Sequence, residues 1–396
     1  MIKPPSPRSA LSQSQHRRTI LYLDHTAKLG GGEIALLNLV CALDPARSHA
    51  VVVLAADGPL ADRLRAAGID TRIVPLDAAV LNIRKDSLGG GSLLHLRSAW
   101  ACLRYALTLA RLARAINADL IHTNSLKSDL YGGLAGRLAG IPVLWHVRDR
   151  IDAQYLPPLV ASLFRRLSRI LPHAIVANSE STLRTLRPRR RQPSAVVYSG
   201  VSSLPPQTAR HLSAPPVVSL VGRLAPWKGQ HIFVQAAALV LAEFPGTRFQ
   251  IIGAPLFGED VYAQTLRQTV ADLGLTEQIL FLGFRDDVPA LLVGTDIVAH
   301  ASILGEPFGQ VVVQGMAAGK PVVATDGGAL REIVVPGETG LLVPMGNAPA
   351  MARALAELLA NPARAIEMGD AGRRRVGERF TLTQTMQAIE DIYSHL

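Results

Sequence analysis

SILGEPFGQVVVQGMAAGKPVVATD, residues 302–326, decides the fold. It reads as a strand end, a polar loop, a helix, a tight turn and another strand. Glu306 lies in the loop, Gly309 and Gln310 open the helix, and Gly319, Lys320 and Pro321 lead into VVAT. A carboxylate beside the free backbone amides of a helix start can hold a sugar hydroxyl and a phosphate together. That pairing points to a sugar nucleotide.

The same alternation extends outward in both directions. Ahead of a break it predicts strands at 19–24, 50–56, 70–76, 119–124, 142–147 and 173–179, with helices between them at 33–43, 60–67, 94–116, 128–139 and 160–170. Beyond it come strands at 217–222, 248–253, 278–283, 296–302, 321–326 and 340–344. Helices are expected at 229–243, 260–273, 288–292, 310–318, 329–334 and 348–359. Apolar strands alternating with amphipathic helices mean parallel sheets covered on both faces. The break, Pro188–Pro216, carries RPRRRQP, a short strand AVVYSG and APP, and reads as an interdomain connection. A helical tract over 363–396 is interrupted near Phe380 and Thr381. The expected fold class is α/β, two doubly wound parallel-sheet domains facing a cleft, with ligands beyond the carboxyl ends of the strands.

Composition agrees and narrows the classes. A chain of 396 residues exceeds one ordinary core, and 48% hydrophobic with 18% charged residues is globular. Cys41 and Cys102 both fall in apolar helical patterns and are expected to be buried thiols in a reducing compartment. No apolar run reaches the roughly 18 residues of a spanning helix. The N-terminal stretch MIKPPSPRSALSQSQHRR lacks the apolar core of a signal peptide and reads as a disordered basic tail. Residues 1–200 carry 27 Lys and Arg against 13 Asp and Glu, whereas 201–396 carry 14 against 18. The basic half suits an anionic membrane or substrate. With 5% aromatics and no basic-aromatic motif, nucleic acid is not the expected partner.

Four places carry the chemistry. Gly30-Gly31-Gly32-Glu33 follows the first strand and opens a helix, so backbone amides can meet a ligand closely. This is not the dinucleotide GxGxxG fingerprint, and the triplet 89–91 lacks the strand–helix context. Gly222-Arg223-Leu224-Ala225-Pro226-Trp227-Lys228-Gly229 follows the first strand of the second half, with two cations able to neutralise a diphosphate. Glu306 through Gln310 is the third. The fourth is His146 at the end of PVLWHV, expected to project into the cleft; His122 and His300 read as structural.

These segments, with AIVANSES (174–181), SGV (199–201), FLGFRDDVPALL (281–292) and the block from EPFG to GGALREIV, occur in one order from about residue 19 to 393. In this the chain resembles retaining glycosyltransferases of the GT-B fold, glycosyltransferase family four. The resemblance implies two Rossmann-like domains: an acceptor-side domain at 19–200, a linker at 201–216, a nucleotide-sugar domain at 217–378 and a C-terminal helix at 379–396 packing back on the first domain. It implies donor contacts at Gly31, Gly32, Gly222, Arg223, Lys228, Arg285, Glu306, Phe308, Gly309, Gln310 and Gln314. His146, Glu306, Arg223 and Lys228 are the expected catalytic group, with no metal and no cofactor beyond the donor substrate. Gln314 departs from the family pattern, which has a ribose-binding glutamate there. Gln keeps an acceptor oxygen but loses the charge.

The expected reaction moves a hexosyl group from a nucleoside-diphosphate sugar to a hydroxyl of a glycan or lipid-linked acceptor, for a cell-surface polysaccharide or glycolipid. A sugar-nucleotide epimerase of the same fold and a non-catalytic sugar-nucleotide-binding protein are the alternatives. A nicotinamide dehydrogenase fails for want of a strand–GxGxxG–helix unit. The segment 155–171, YLPPLVASLFRRLSRIL, combines an apolar stripe with Arg165, Arg166 and Arg169. An interfacial helix and an ordinary packed helix fit it equally; the expected location is the cytoplasm, and an interfacial helix would place the protein peripherally on the inner face of the cell membrane.

Overall fold

A computed structural model describes residues 17–76, 92–205, 212–256 and 258–396; for 92–99 only the backbone course is described. The N-terminal tail through residue 16, the triplet 89–91 and residues 206–211 of the expected linker lie outside the described residues.

Thirteen strands form two sheets among the described residues. The first holds β1 (Arg18–Asp24), β2 (Ser48–Leu54), β3 (Asp70–Ile73), β4 (Leu120–Thr123), β5 (Val143–Val147), β6 (Ala174–Ala177) and β7 (Ser194–Val196), in the order β3-β2-β1-β4-β5-β6-β7. The second holds β8 (Val217–Val221), β9 (Arg248–Ile252), β10 (Ile279–Gly283), β11 (Ile297–His300), β12 (Val322–Thr325) and β13 (Gly340–Val343), in the order β10-β9-β8-β11-β12-β13. Every pairing is parallel, as in β1 with β2, where Ile20 faces Ala50 and Leu23 faces Val53.

The strand patterns explain the covering helices. In β1, Leu21 and Leu23 enter one core with Val51, Val53 and Trp145, while Ile20 and Tyr22 enter another with Leu36, Leu39 and Leu144. Each fully buried side chain of this kind is worth about 1.5–3 kcal/mol, so both faces need helices over them. The strand expected in AVVYSG is present, and only its place in the 188–216 break is corrected. Ser194–Val196 is the edge strand of the first sheet rather than part of a connection, pairing with β6 over Ile175 to Ala177.

The chain then returns. Helix Pro362–Arg379 stops at Phe380, and Thr381 caps helix Leu382–Ser394 through a reciprocal pair with Gln384. Val201 and the 380–382 corner exchange backbone hydrogen bonds, Val201 N to Phe380 O (2.9 Å) and Leu382 N to Val201 O (2.8 Å). Met386, Ile389 and Tyr393 enter the first lobe's core. Tyr393 OH lies 2.8 Å from Tyr22 OH and 2.5 Å from His122 Nδ1.

In both sheets the strand order reverses, between β1 and β4 and between β8 and β11. Crevices open at such reversals, beyond the strands' carboxyl ends. The loops around 25–30 and 124–125 therefore border the crevice of the first sheet, and those around 222–229 and 301–306 that of the second. Among the described residues no helix is long and apolar enough to cross a membrane.

Candidate functional site

The crevice of the second lobe is built around one ion pair. After β8 the chain makes a single 3-10 turn, Pro226–Lys228, closed by Gly229 at φ +70°. Ile303 N donates to Trp227 O at 2.9 Å, tying this turn to the loop after β11. Lys228 Nζ thereby meets Glu306 Oε1 and stands 4.4 Å from the Trp227 ring centroid. Ser302 Oγ donates to Glu306 Oε2 at 3.2 Å, and His300 Nε2 lies 3.8 Å from the same oxygen. Burial alone would raise the Glu306 carboxyl. The Lys228 charge, then His300 and the hydrogen bonds, outweigh it and hold the group well below the usual carboxylate range. Arg223 completes the set, 3.5 Å from Glu259 and 5.7 Å from the Trp227 centroid.

Gly309, at φ +106°, caps helix Gln310–Ala317, and a Cβ there would press on Leu330 at 3.3 Å. The helix start is thus held close to Glu306. Phe308 serves a structural purpose with its ring, buried between Tyr198 (6.0 Å) and Phe380 (6.2 Å), leaving only its backbone for the crevice. Gly222, at φ +158°, starts the cation loop and donates to Ile252 O at 2.9 Å. Gln314 is half-buried on the helix behind.

In the first lobe, Gly30 caps helix Gly31–Cys41 and donates to Glu33 Oε2 at 3.0 Å. None of the three glycines has positive φ. Gly32 lies beside Arg148, whose Cδ would be 3.5 Å from an added Cβ. Arg148 donates to Asn124 Oδ1 (2.7 Å) and Ser199 Oγ (2.9 Å), and Asn124 Nδ2 donates to Asp24 Oδ2 (2.6 Å). Burial lowers the Arg148 guanidinium to about 10, against the pull of Asp24, Glu33 and Asp129.

Several expectations are corrected here. His146 does not project into the crevice: it is 1% exposed, 3.0 Å from His122 and 3.3 Å from Arg148. The strand continues to Val147, so His146 points into the sheet's face, and burial, then Arg148 and His122, push its imidazole well below its usual range. Arg148, two residues on, is the basic group at the glycine loop. His300, read as structural, touches the Glu306 environment instead. Arg285 is exposed and held by Asp287 at 2.8 and 2.6 Å, so it is not gathered with Lys228. Arg285→Ala is expected to change donor affinity less than about fivefold, the range of an exposed pair, as a titration would show. Cys41 is exposed, because it ends its helix on the solvent side, and Cys102 is half-buried; both are free thiols.

Glu33 is a titrating group in the crevice. Burial, then the Asp24 charge, raise its carboxyl from 4.5 to about 7, against its own backbone amide and His25. Its folded value exceeds the unfolded one, so its stabilising contribution is complete below about 4.5 and is lost as pH rises through about 7. The melting temperature of the wild type is expected to fall relative to Glu33→Gln between about pH 6 and about pH 8. Parallel curves would show that the carboxyl does not titrate there.

Trp227 and Tyr155 were not picked out as site residues by the sequence. Tyr155 of the first lobe reaches Trp227, with ring centroids 6.3 Å apart. Burial, then Asp149 and Glu306, push its hydroxyl well above the usual range. Further contacts join the lobes: Lys28 Nζ to Leu256 O (2.5 Å), Arg63 to Asp286, and Ser179 Oγ to Pro307 O (2.6 Å).

Two family models lie end to end on the chain: Glycosyltransferase Family 4 over residues 29–203 and Glycosyl transferases group 1 over residues 207–375. The lipopolysaccharide core biosynthesis mannosyltransferase LpcC of Rhizobium leguminosarum bv. viciae is 30% identical over 226 residues, 57% of this chain and 60% of that protein. The phosphatidyl-myo-inositol mannosyltransferase of Mycobacterium leprae is 34% identical over 206 residues, 50% of this chain and 53% of that protein. The chain thus matches about half the length of these relatives. Among solved structures, HepE of Anabaena in complex with UDP-glucose superposes with a TM-score of 0.81 at 27% identity, covering 96% of this chain and all (100%) of that one. Its two parallel sheets are those of the GT-B fold, and the chain belongs to the group 1 glycosyltransferases with a family-four first half.

Proposed function

We propose that this chain transfers a hexosyl group from a nucleoside-diphosphate sugar to a hydroxyl of a glycan or lipid-linked acceptor, retaining the anomeric configuration and using no metal. Its place is the synthesis of a cell-surface polysaccharide or glycolipid. The observation that carries this reading is the pair of half-buried Lys228 with buried Glu306 at the strand-order reversal, with Arg223 beside it and the Gln310 helix start close by. Likeness to HepE, which holds UDP-glucose, supports the donor class.

The barrier is cleavage of the anomeric C–O bond while charge builds on the departing diphosphate. Arg223 and Lys228, with the amides at Gly309 and Gln310, are fixed donors aimed at that charge, the largest catalytic term in such sites. Glu306 stays ionised at neutral pH and accepts hydrogen bonds from donor-sugar hydroxyls. Gln314 bonds the ribose through its amide. Gly31 and Gly32 bring first-lobe amides, and Arg148 behind them a charge, to the phosphates. The departing phosphate takes the acceptor proton on the face it leaves, which gives retention. Lobe closure excludes water.

A thermal-shift screen of nucleoside-diphosphate sugars, followed by turnover with glycan acceptors, tests the reading. One donor stabilises the protein and is consumed only when acceptor is present. Isomerised donor without acceptor would turn the reading to an epimerase, and binding without turnover to a binding protein.

Helix Pro158–Leu167 supports a peripheral site of action. Leu159 (85% exposed), Leu163 (57%) and Ile170 (58%) point outward on one side, with exposed Arg166 and Arg169 near them. Anionic vesicles are expected to carry the protein upward in flotation, and Leu159→Asp with Leu163→Asp to leave it in the soluble fraction. Recovery in the soluble fraction with neutral and anionic vesicles alike would refute membrane binding.

A further inference from the structure

A second basic concavity lies at the seam of the two lobes, and Lys228, Arg223 and the Glu306 side chain take no part in it. It is a pocket of about 430 Å³. Arg150, Arg165, Arg184 and Arg187 line it from the first lobe and Arg331 from the second, against only two carboxylates, Asp152 and Glu332.

Both carboxylates are already engaged. Asp152 holds Arg150 at 2.7–2.9 Å. Glu332 accepts from Glu180 N (2.9 Å) and Ser181 N (2.7 Å), capping helix Glu180–Leu186 across the seam. Arg331 is paired with Asp326, and Arg165 donates to Thr185 O and Ile151 O. Arg184 and Arg187 are exposed, and among the described residues neither has a carboxylate at ion-pair distance. Burial, then the charges of Arg187 and Arg169, lower the Arg165 guanidinium.

Like charges gathered in a concavity repel unless an anion sits among them. Guanidinium forks match tetrahedral oxyanions, and the Thr185 hydroxyl adds a polar lining group. Arg150 also approaches the loop of Glu306, its Cζ 3.3 Å from where a Cβ on Gly305 would stand. We propose that this seam pocket binds an oxyanion of the phosphate or sulfate class, free or carried as a substituent of the acceptor sugar, separately from the donor diphosphate.

The test uses the full chain, with inorganic phosphate and glucose 6-phosphate as probes in thermal-shift titrations at constant ionic strength. Both probes saturate on the wild type and on Lys228→Ala. The paired substitution Arg184→Gln with Arg187→Gln weakens both by about tenfold or more. Those two side chains are exposed, and an unchanged far-UV circular dichroism spectrum would show the paired variant folded. Unchanged affinity in the paired variant overturns the proposal, as does loss of both probes in Lys228→Ala, which would place them on the donor cations. Tighter binding of glucose 6-phosphate than of phosphate assigns the pocket to an acceptor substituent; equal binding assigns it to the free ion.

Discussion

Lys228→Ala is expected to abolish stabilisation by the best donor and to lower turnover by about 10²–10³, the usual loss when one fixed donor to a developing oxyanion is removed. The same change leaves Glu306 buried with its charge partner gone. Breaking a buried pair in this way is worth about 3–5 kcal/mol. Part of that loss is recoverable, because a buried carboxyl can take up a proton instead. With Lys228 present, the Glu306 value lies below its unfolded value, so its contribution is full at neutral pH and is lost only in strong acid. Without Lys228, burial is opposed only by His300 and the remaining hydrogen bonds, so the folded value moves up from its wild-type position. The variant should therefore lose less stability than the wild type as pH falls into the acid range, a difference in slope between the two curves. Adding Glu306→Gln to Lys228→Ala should remove that slope without restoring donor binding. A variant that still shows the wild-type shift with donor would remove the diphosphate from this loop.

How far the sequence reaches is clearest in particular residues. The strands were legible because both faces are covered, so VVVL and VVAT are continuous apolar runs with sharp ends. Lys228 and Glu306 were legible as members of a family pattern and as rare charges after strands. That they pair with each other depends on the Ile303–Trp227 hydrogen bond between residues 76 positions apart, which no local pattern encodes. His300 and His146 look alike in sequence, each near a strand's carboxyl end. They differ in what they meet: His300 faces Ser302 and Glu306, and His146 faces His122, which in turn meets Tyr393 of the last helix. That helix is separated from β4 by more than 250 residues, so its polar contact with His122 could not be foreseen locally. Arg285 stands apart from Lys228 for a nearer reason, an aspartate two positions on that claims its fork. The capping of Glu180–Leu186 by Glu332 joins the lobes and was likewise invisible, because the acceptor comes from the other lobe.

Gly229→Ala is expected to damage the site from within, whereas Gly31→Ala leaves the fold untouched. The two glycines stand in corresponding loops, each after the first strand of its lobe and before a helix. In the structure they differ. Gly229 adopts φ +70°, and a Cβ on it would come 1.9 Å from Ala301 O. An L side chain in this conformation costs about 1–2 kcal/mol, and overpacking against backbone adds about 1–3 kcal/mol more. The clash cannot be relieved by a rotamer. Either the turn carrying Lys228 moves or the loop from Ala301 to Glu306 does, and each movement separates the ion pair. Gly229→Ala should therefore lose about 2–5 kcal/mol of stability together with most donor affinity. Gly31 is exposed, its φ is not positive, and nothing lies within 4 Å of an added Cβ. Its substitution should hold stability within about 0.5 kcal/mol and lower affinity only if a phosphate approaches that backbone. Chemical denaturation and donor titration on both variants separate these effects. A stable, donor-binding Gly229→Ala would mean that the 301–306 loop can yield, and that the Lys228–Glu306 spacing does not govern binding.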